Sequence, residues 1–188
     1  MLGARAVTLL ALACARPVAL DAGTPPGSHS GTPVTTDPGV VELVDVAAWT
    51  VLDPADDPGG GLDGTPCTPL DYGPEDAGFE VRTEACDGAV FEQPLLAGLE
   101  SGDRVGVGLS HLDLWSADPD ATAELSLWLG DEPLWSVVLA LPTEAGVIDD
   151  EVSAPLAVDA GSPIRFRVRN HGRNSYDLAW VRRLSAAP

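Results

Sequence analysis

The chain has 188 residues and carries 29 acidic against ten basic side chains, a formal net charge of -19. Nucleic acids and anionic lipid surfaces are bound by clustered Lys and Arg over a broad face, so this charge argues against both as partners. Once a targeting segment and a linker are set aside, roughly 150 residues remain, which is enough for one domain with one hydrophobic core.

Residues 1–15 are typical of a secretion signal. A single charge at Arg5 precedes an apolar run of eight residues, too short for a transmembrane helix, which needs about 20. The run ALAC, ending at Cys14, resembles a bacterial lipobox, in which the cysteine becomes the lipidated first residue. We therefore predict an exported lipoprotein of the outer membrane or cell surface, attached to the membrane only through its lipid. Cleavage after Ala15, giving a periplasmic or secreted protein, is the alternative.

Residues 16–39 are rich in Pro, Gly, Ser and Thr, and we predict a disordered linker there. Three cysteines are an odd number for an oxidising compartment unless one is occupied, and lipidation of Cys14 would leave Cys67 and Cys86. A disulfide between these two would close a loop of about 20 residues and contribute roughly 3 kcal/mol to stability. The alternative is a pair of free or buried thiols.

The folded domain is predicted over residues 40–185. Its first segment, VVELVDVAAWTVL, indicates one strand buried on both faces or two short strands, with Trp49 in the core. Residues 53–78 form a long irregular segment, which is uncommon inside a domain and often functional. Four aspartates of this segment either wrap a calcium ion or belong to a charged, solvated loop. They are Asp53, Asp56, Asp57 and Asp63.

From residue 79 onward the hydrophobic pattern alternates as in β-strands. In RVGVGLSHLDL, Gly106 and Gly108 share one face, where small residues let another group pack closely. Residues 123–129 and 134–141 flank a GDEP turn and form the strongest predicted hairpin. No window shows sustained helical periodicity. About nine short strands therefore predict an all-β fold, a single jelly-roll-like β-sandwich of antiparallel strands.

Residues 162–184 hold six of the ten arginines, and their alternation predicts two strands joined by a turn, as in a hairpin. Arg165, Arg167 and Arg169 lie on one strand face, about 7 Å apart. They form either a ladder for an anionic ligand or ion pairs with acids of neighbouring strands. The excess of acidic residues favours the ion pairs.

Several segments together resemble a known group of proteins. They are the EVRTEAC, FEQPLL and GDRVGVGLSHLDL strands, the LWLGDEPLWSVVLALP hairpin and the terminal RFRVRNHGRNSYDLAWV pair. The chain resembles bacterial exported lipoproteins, whose domain is similar to galactose-binding-like and carbohydrate-binding-module β-sandwiches. The resemblance covers roughly residues 40–184, and its best marker is Asn170-His171-Gly172 followed by Asn174. It implies a fold and an exported location, without an activity.

The NHGRNS turn carries side chains that hydrogen-bond to sugar hydroxyls or carboxylates, and loop tips on rigid sandwiches often bind ligands. The alternation of its strand places Trp128 on the surface, where an indole offers a plane for sugar stacking. The predicted ligand-binding residues are Asn170, His171, Arg173, Asn174 and Trp128. Alternatively, the asparagines cap the turn, Gly172 supplies a positive φ and the histidine is solvated.

A catalytic triad at Ser110 and His111 is rejected, because adjacent strand residues point to opposite faces and the second glycine of a nucleophile elbow is missing. A metal site would need His111, His171 and a carboxylate, Asp113 or Glu124, to converge.

Our leading hypothesis is a non-enzymatic, lipid-anchored β-sandwich that binds a carbohydrate or other envelope ligand at the His171 end, without a cofactor. The alternatives are a metal-dependent enzyme or metal-binding protein using His111 and His171, with calcium or a transition metal as cofactor, and a purely structural envelope protein.

Overall fold

A computed structural model describes residues 39–76, 78–170 and 172–185 of the chain. The predicted signal, Cys14, almost all of the predicted linker and His171 lie outside these residues. The described part is built from two antiparallel β-sheets, sheet A and sheet B, which confirms the predicted all-β sandwich. None of the helices in this part is long and apolar enough to cross a membrane.

Sheet A has the strand order β3-β4-β11-β6-β9, and β1 also pairs with β11. Its strands are β1 (Val40–Glu42), β3 (Tyr72–Glu75), β4 (Gly78–Arg82), β6 (Arg104–His111), β9 (Gly146–Ser153) and β11 (Ser175–Leu184). Sheet B has the order β2-β5-β10-β7-β8. Its strands are β2 (Thr50–Val51), β5 (Gly88–Pro94), β7 (Thr122–Leu129), β8 (Glu132–Ala140) and β10 (Pro163–Asn170).

The described residues form eleven strands, where about nine were expected. The first segment splits into β1 and β2, one of its two predicted forms. The other addition is β3, which lies inside the segment predicted to be irregular and pairs with β4. Because β3 contains Gly73 and Pro74, its sequence carries no alternating pattern from which a strand could be predicted.

The core fills the space between the inner faces of the two sheets. Most inward-facing residues of β4, β6, β7, β10 and β11 are buried at 2% exposure or less. Among them are Val81, Leu109, Leu127, Phe166 and Leu178. Aromatic side chains form one end of this core: Phe79 and Phe91 meet edge to face, with their ring centroids 4.8 Å apart, and Trp49 packs beside them. The prediction that Trp49 anchors the core is confirmed.

The strongest predicted hairpin is confirmed, because β7 and β8 pair with each other and Gly130 adopts φ +60° at their turn. The predicted hairpin of β10 and β11 is wrong in its pairing. β10 lies between β5 and β7 in sheet B, whereas β11 lies between β4 and β6 in sheet A. Both strands have alternating apolar faces that point into the same core, so the chain crosses the sandwich at this turn. The alternation of apolar and polar residues is the same in a hairpin as in two strands of opposite sheets, so it does not distinguish them.

The predicted disulfide between Cys67 and Cys86 is present, with the two Cα atoms 4.9 Å apart. It ties the loop that precedes β3 to the start of β5, where Cys67 N–H also donates to the Gly88 carbonyl at 3.0 Å. Upstream in the same loop, a short 3-10 helix at Pro54–Asp56 is capped by the Asp53 carboxylate.

Removing this disulfide should lower the free energy of unfolding by about 3 kcal/mol, because the bond closes a loop with a sequence separation of 19. Chemical denaturation of the Cys67→Ser/Cys86→Ser double variant, compared with the oxidised wild type, measures the difference. Equal denaturation midpoints for the two proteins would contradict the prediction.

Candidate functional site

The centre of the outer face of sheet B is covered by ion pairs and by the loop of residues 53–66. The Arg167 side chain is only 3% exposed, and its Nε lies 3.0 Å from Oδ1 of Asp57, whose side chain is fully buried. Its Nη1 lies 3.2 Å from Oε1 of Glu124. Gly59 packs on the same guanidinium, where a Cβ would stand 2.9 Å from Cζ. This face therefore has no open platform over its centre.

The other two arginines of β10 are paired in the same way. Arg165 Nε lies 2.8 Å from Glu92 Oε2 and its Nη1 2.7 Å from Asp131 Oδ1, while Arg169 Nη2 lies 3.3 Å from Asp63 Oδ2. These contacts confirm the ion pairs predicted for the arginines of this strand. They also engage Asp57 and Asp63, two of the four aspartates proposed for calcium.

The polar turn after β10 is held from inside by a buried hydrogen-bond network. Asn170 Nδ2 donates to Thr83 Oγ1 at 2.7 Å, and Asn170 Oδ1 accepts from Tyr176 OH and Asn174 Nδ2, both at 2.8 Å. Asn174 Oδ1 accepts the backbone N–H of Trp115. Burial raises the pKa of the Tyr176 phenol, which keeps it a neutral donor. Since Asn170 and Asn174 are 0% and 7% exposed, their amides serve the fold, and the prediction that they contact a ligand does not fit their positions.

Trp115 and Arg173 are exposed at this end of the sandwich. Trp115 is 56% exposed, and its carbonyl accepts the backbone N–H of Arg173 at 3.2 Å. Gly172 is needed here because a Cβ would overlap that same carbonyl. Trp128 is not part of this group: it is half-buried on sheet B opposite Arg165, about 17 Å along the strand from the end of β10. Among the described residues of the predicted ligand-binding set, Trp128 therefore lies apart from the turn.

The proposed metal ligands are only partly described. The Nδ1 atom of His111, which is 9% exposed, lies 2.9 Å from the Leu112 carbonyl, and Asp113 Oδ1 accepts the Ala145 N–H at 2.8 Å. The second histidine of the predicted set, His171, lies outside the described residues. Within residues 39–76, 78–170 and 172–185, no group of three or more His, Cys, Asp or Glu side chains is placed to hold a metal ion.

The outer face of sheet A carries a tryptophan on a floor of glycine. Trp180 on β11 is half-buried and lies over Gly106 and Gly108 of the neighbouring strand β6. A Cβ on Gly108 would overlap the indole, and a Cβ on Gly106 would stand 2.9 Å from its Cζ3 atom. The sequence predicted that another group packs closely on these two glycines, but it did not identify that group. The missed residue, Trp180, could be found only by knowing that β6 and β11 are neighbours.

A groove of about 530 Å³ lies further along the same face, from Ser110, which follows Gly108 on the outer side of β6, to Ser175 after the polar turn. Its lining residues include Glu80 of β4, Ser110 of β6, Val147 of β9 and Asp177 of β11. Ser175 donates a hydrogen bond from Oγ to Glu80 Oε1, while Asp177 Oδ1 is buried without a hydrogen-bond partner in the described part of the chain. The groove thus combines hydroxyl and carboxylate groups with an apolar rim.

Burial raises the pKa of the Asp177 carboxyl, and the negative charges of Glu80 and Asp76 raise it further. The folded state therefore binds the proton more tightly than the unfolded state, in which this pKa is about 3.9. Stability falls as the pH rises above that value, because the carboxyl then ionises more easily in the unfolded chain. We expect Asp177→Asn to be more stable than wild type at pH 7, with the difference shrinking toward pH 4.

Thermal unfolding of the wild type and the Asp177→Asn variant across this pH range measures the effect. Ser110→Asn, a change on the same face of the neighbouring strand, is a control that adds no titratable group. A stability difference between Asp177→Asn and wild type that is constant with pH would contradict the raised pKa.

No family model and no curated protein matches this chain. Solved structures similar to it include a CBM4 module, with 12% identity, a TM-score of 0.46 and coverage of 75% of this chain and 89% of that one. The N-terminal cellulose-binding domain of β-1,4-glucanase C from Cellulomonas fimi is 12% identical, with a TM-score of 0.42 and coverage of 73% and 86%. An arabinose-bound α-L-arabinofuranosidase is 12% identical, with a TM-score of 0.44. The match covers 76% of this chain and only 24% of that enzyme.

Proposed function

We propose that this chain is a carbohydrate-binding domain, without enzymatic activity of its own, whose ligand lies along the outer face of sheet A. The observation that carries the proposal is the indole of Trp180 on its glycine floor, beside an open groove. A sugar ring can pack its C–H face on an indole, while its hydroxyls donate to nearby carboxylates. The centre of the outer face of sheet B offers no comparable platform among the described residues, because the Arg167 ion pairs and the overlying loop cover it.

The groove lies between Trp180 and the end of the sandwich where a ligand was predicted. Leu112 and Ser175 line both this groove and the adjoining depression beside Arg173. We propose that an extended ligand runs from the indole toward Arg173 and the turn that contains His171. The proposed site still includes the end of the sandwich that was predicted from the sequence, but its centre lies on sheet A.

The charge around the groove favours neutral carbohydrates. Asp149 and Glu151 are exposed on β9, opposite the two glycines, and Asp177 lies in the groove without an ion-pair partner in the described part of the chain. Uronates and sulfated sugars would meet repulsion on a protein with a net charge of -19. Neutral sugars carry hydroxyl groups that can donate hydrogen bonds to these carboxylates.

Affinity gel electrophoresis tests the proposal. Gels containing hydroxyethylcellulose, xylan or galactan supply neutral polysaccharides, and polygalacturonate supplies an anionic one. We expect at least one neutral polysaccharide to retard the wild type and to release no reducing ends. Trp180→Ala should abolish the retardation, and Trp128→Ala, a matched change on the outer face of sheet B, should leave it intact. Retardation lost in Trp128→Ala but kept in Trp180→Ala would place the site elsewhere, and no retardation in any gel would overturn the function.

We also propose that the chain is exported and anchored through a lipid on Cys14. The disulfide of Cys67 and Cys86 supports export, because such bonds form and persist in oxidising compartments. Mass spectrometry of the mature N-terminus distinguishes the two modes of cleavage. A diacylglyceryl group on Cys14 supports the anchor, whereas a free amino terminus at Arg16 would contradict it.

A further inference from the structure

A cation lies over the indole of Trp180. The guanidinium carbon of Arg182, two residues further along β11, lies over the ring at 4.8 Å from its centroid. This distance is within the range of a cation–π contact. The tryptophan thus lies close to both the backbone of β6 and a cation, which agrees with its half-buried state.

The cation is held in place from β1. Arg182 Nε donates to Glu42 Oε1 at 2.7 Å, and the two residues are direct partners in the pairing of β1 with β11. Both side chains are partly exposed, at 38% and 43% of their surface. An exposed ion pair of this kind is weak, so the guanidinium can leave the indole at little cost.

We propose that Arg182 competes with the carbohydrate for the outer side of Trp180 and thereby sets the affinity of the site. The inference rests on the proposed function and adds a residue that determines its strength. A sugar can stack on the indole only after the guanidinium has moved aside, so binding exchanges a cation–π contact for a stacking contact. Because an exposed cation–π contact is weak, its removal should raise affinity by about two- to fivefold.

Arg104 provides a matched control. It also lies on the outer face of sheet A and pairs with Glu151, so removing it changes the charge of the same face by the same amount. No contact of Arg104 with the indole is present among the described residues. If loss of one positive charge were the cause of an affinity change, Arg104→Ala and Arg182→Ala would behave alike.

Two measurements test the inference. In a Trp115→Phe/Trp128→Phe background, acrylamide quenching reports on Trp180, since Trp49 and Trp135 are buried. Without any ligand, Arg182→Ala should raise the quenching constant, Glu42→Gln should raise it less, and Arg104→Ala should leave it unchanged. In affinity gels with the neutral polysaccharide that retards the wild type, Arg182→Ala should bind about two- to fivefold more tightly.

Each contrary result has a separate meaning. Unchanged quenching in Arg182→Ala, or weaker binding by that variant, would overturn the competition while leaving the carbohydrate function standing. The same increase in affinity for Arg104→Ala would overturn it as well, because the effect would then be one of charge. Absence of binding by every variant would overturn the competition together with the proposed function.

Discussion

Replacing Arg167 by alanine will lower the free energy of unfolding by about 3 kcal/mol. The guanidinium is buried under the loop of residues 53–66, where it is the ion-pair partner of the fully buried Asp57 carboxylate. Removal leaves that carboxylate either unpaired in the interior or exposed by displacement of the loop. Both outcomes cost far more than the loss of an exposed ion pair, which contributes at most about 1 kcal/mol. Urea denaturation measures the difference.

Arg169→Ala is the matched control, because Arg169 lies on the same face of β10 and pairs with Asp63, whose side chain is 90% exposed. We expect this variant to lose less than about 1 kcal/mol. In Arg167→Met/Asp57→Leu no buried charge remains, and much of the lost stability should return. Equal losses for the Arg167 and Arg169 variants would show that the overlying loop does not depend on the buried pair.

Asn170→Ala should cost about 3 kcal/mol as well, for a different reason. Its amide joins Thr83, Asn174 and Tyr176 at the point where the chain crosses from sheet B to sheet A. The truncation leaves the Tyr176 hydroxyl buried without its acceptor, and an unmade buried hydrogen bond is costly. Urea denaturation of the variant measures the loss, and Ser153→Ala, at an exposed position of β9, should change stability by less than about 0.5 kcal/mol.

A double-mutant cycle isolates the network. Tyr176→Phe removes the hydroxyl that Asn170→Ala would leave unsatisfied, so the two losses should add up to more than the loss in the double variant. Strict additivity would contradict a shared hydrogen bond. It would indicate that each side chain stabilises the turn by itself.

The sequence predicted those parts of the fold that depend on local pattern. The β7 and β8 hairpin followed from alternation around a Gly-containing turn, and the disulfide followed from the number of cysteines and the expected compartment. The pairing of β10 and β11 did not follow, because it is decided by which distant strands flank each of them. β10 joins β5 and β7, while β11 joins β4 and β6. The local alternation of apolar and polar residues is the same whichever distant strands become the neighbours.

The candidate site shows the same limit. The ion pairs of the β10 arginines were predictable, since an acidic chain supplies partners for any row of bases. The asparagines of the turn were predicted to face a ligand, yet one-dimensional pattern does not distinguish a polar residue that binds from one that satisfies buried groups. Trp180 became a candidate only when its neighbours Gly106 and Gly108, about 70 residues earlier, were placed beside it.

The two outer faces explain why one of them is available for binding. On sheet B, Arg167 pairs with Asp57 of a charged loop, which covers the centre of that face. On sheet A the glycines of β6 make room for a flat ring, and the groove beside it stays open. The centre of one outer face is thus covered, whereas the other keeps an open groove. Asp177, whose raised pKa costs stability at neutral pH, lies in that groove.

The most direct test of carbohydrate binding on sheet A is an NMR titration of the indole N–H signals, of which the chain has five. The titrant is the neutral polysaccharide that binds in affinity gels, cut to oligosaccharides. We expect the Trp180 signal to shift with saturation, while the signals of Trp128 and the buried Trp49 and Trp135 stay in place. A shift of Trp128 with an unchanged Trp180 signal would contradict a binding site on the outer face of sheet A.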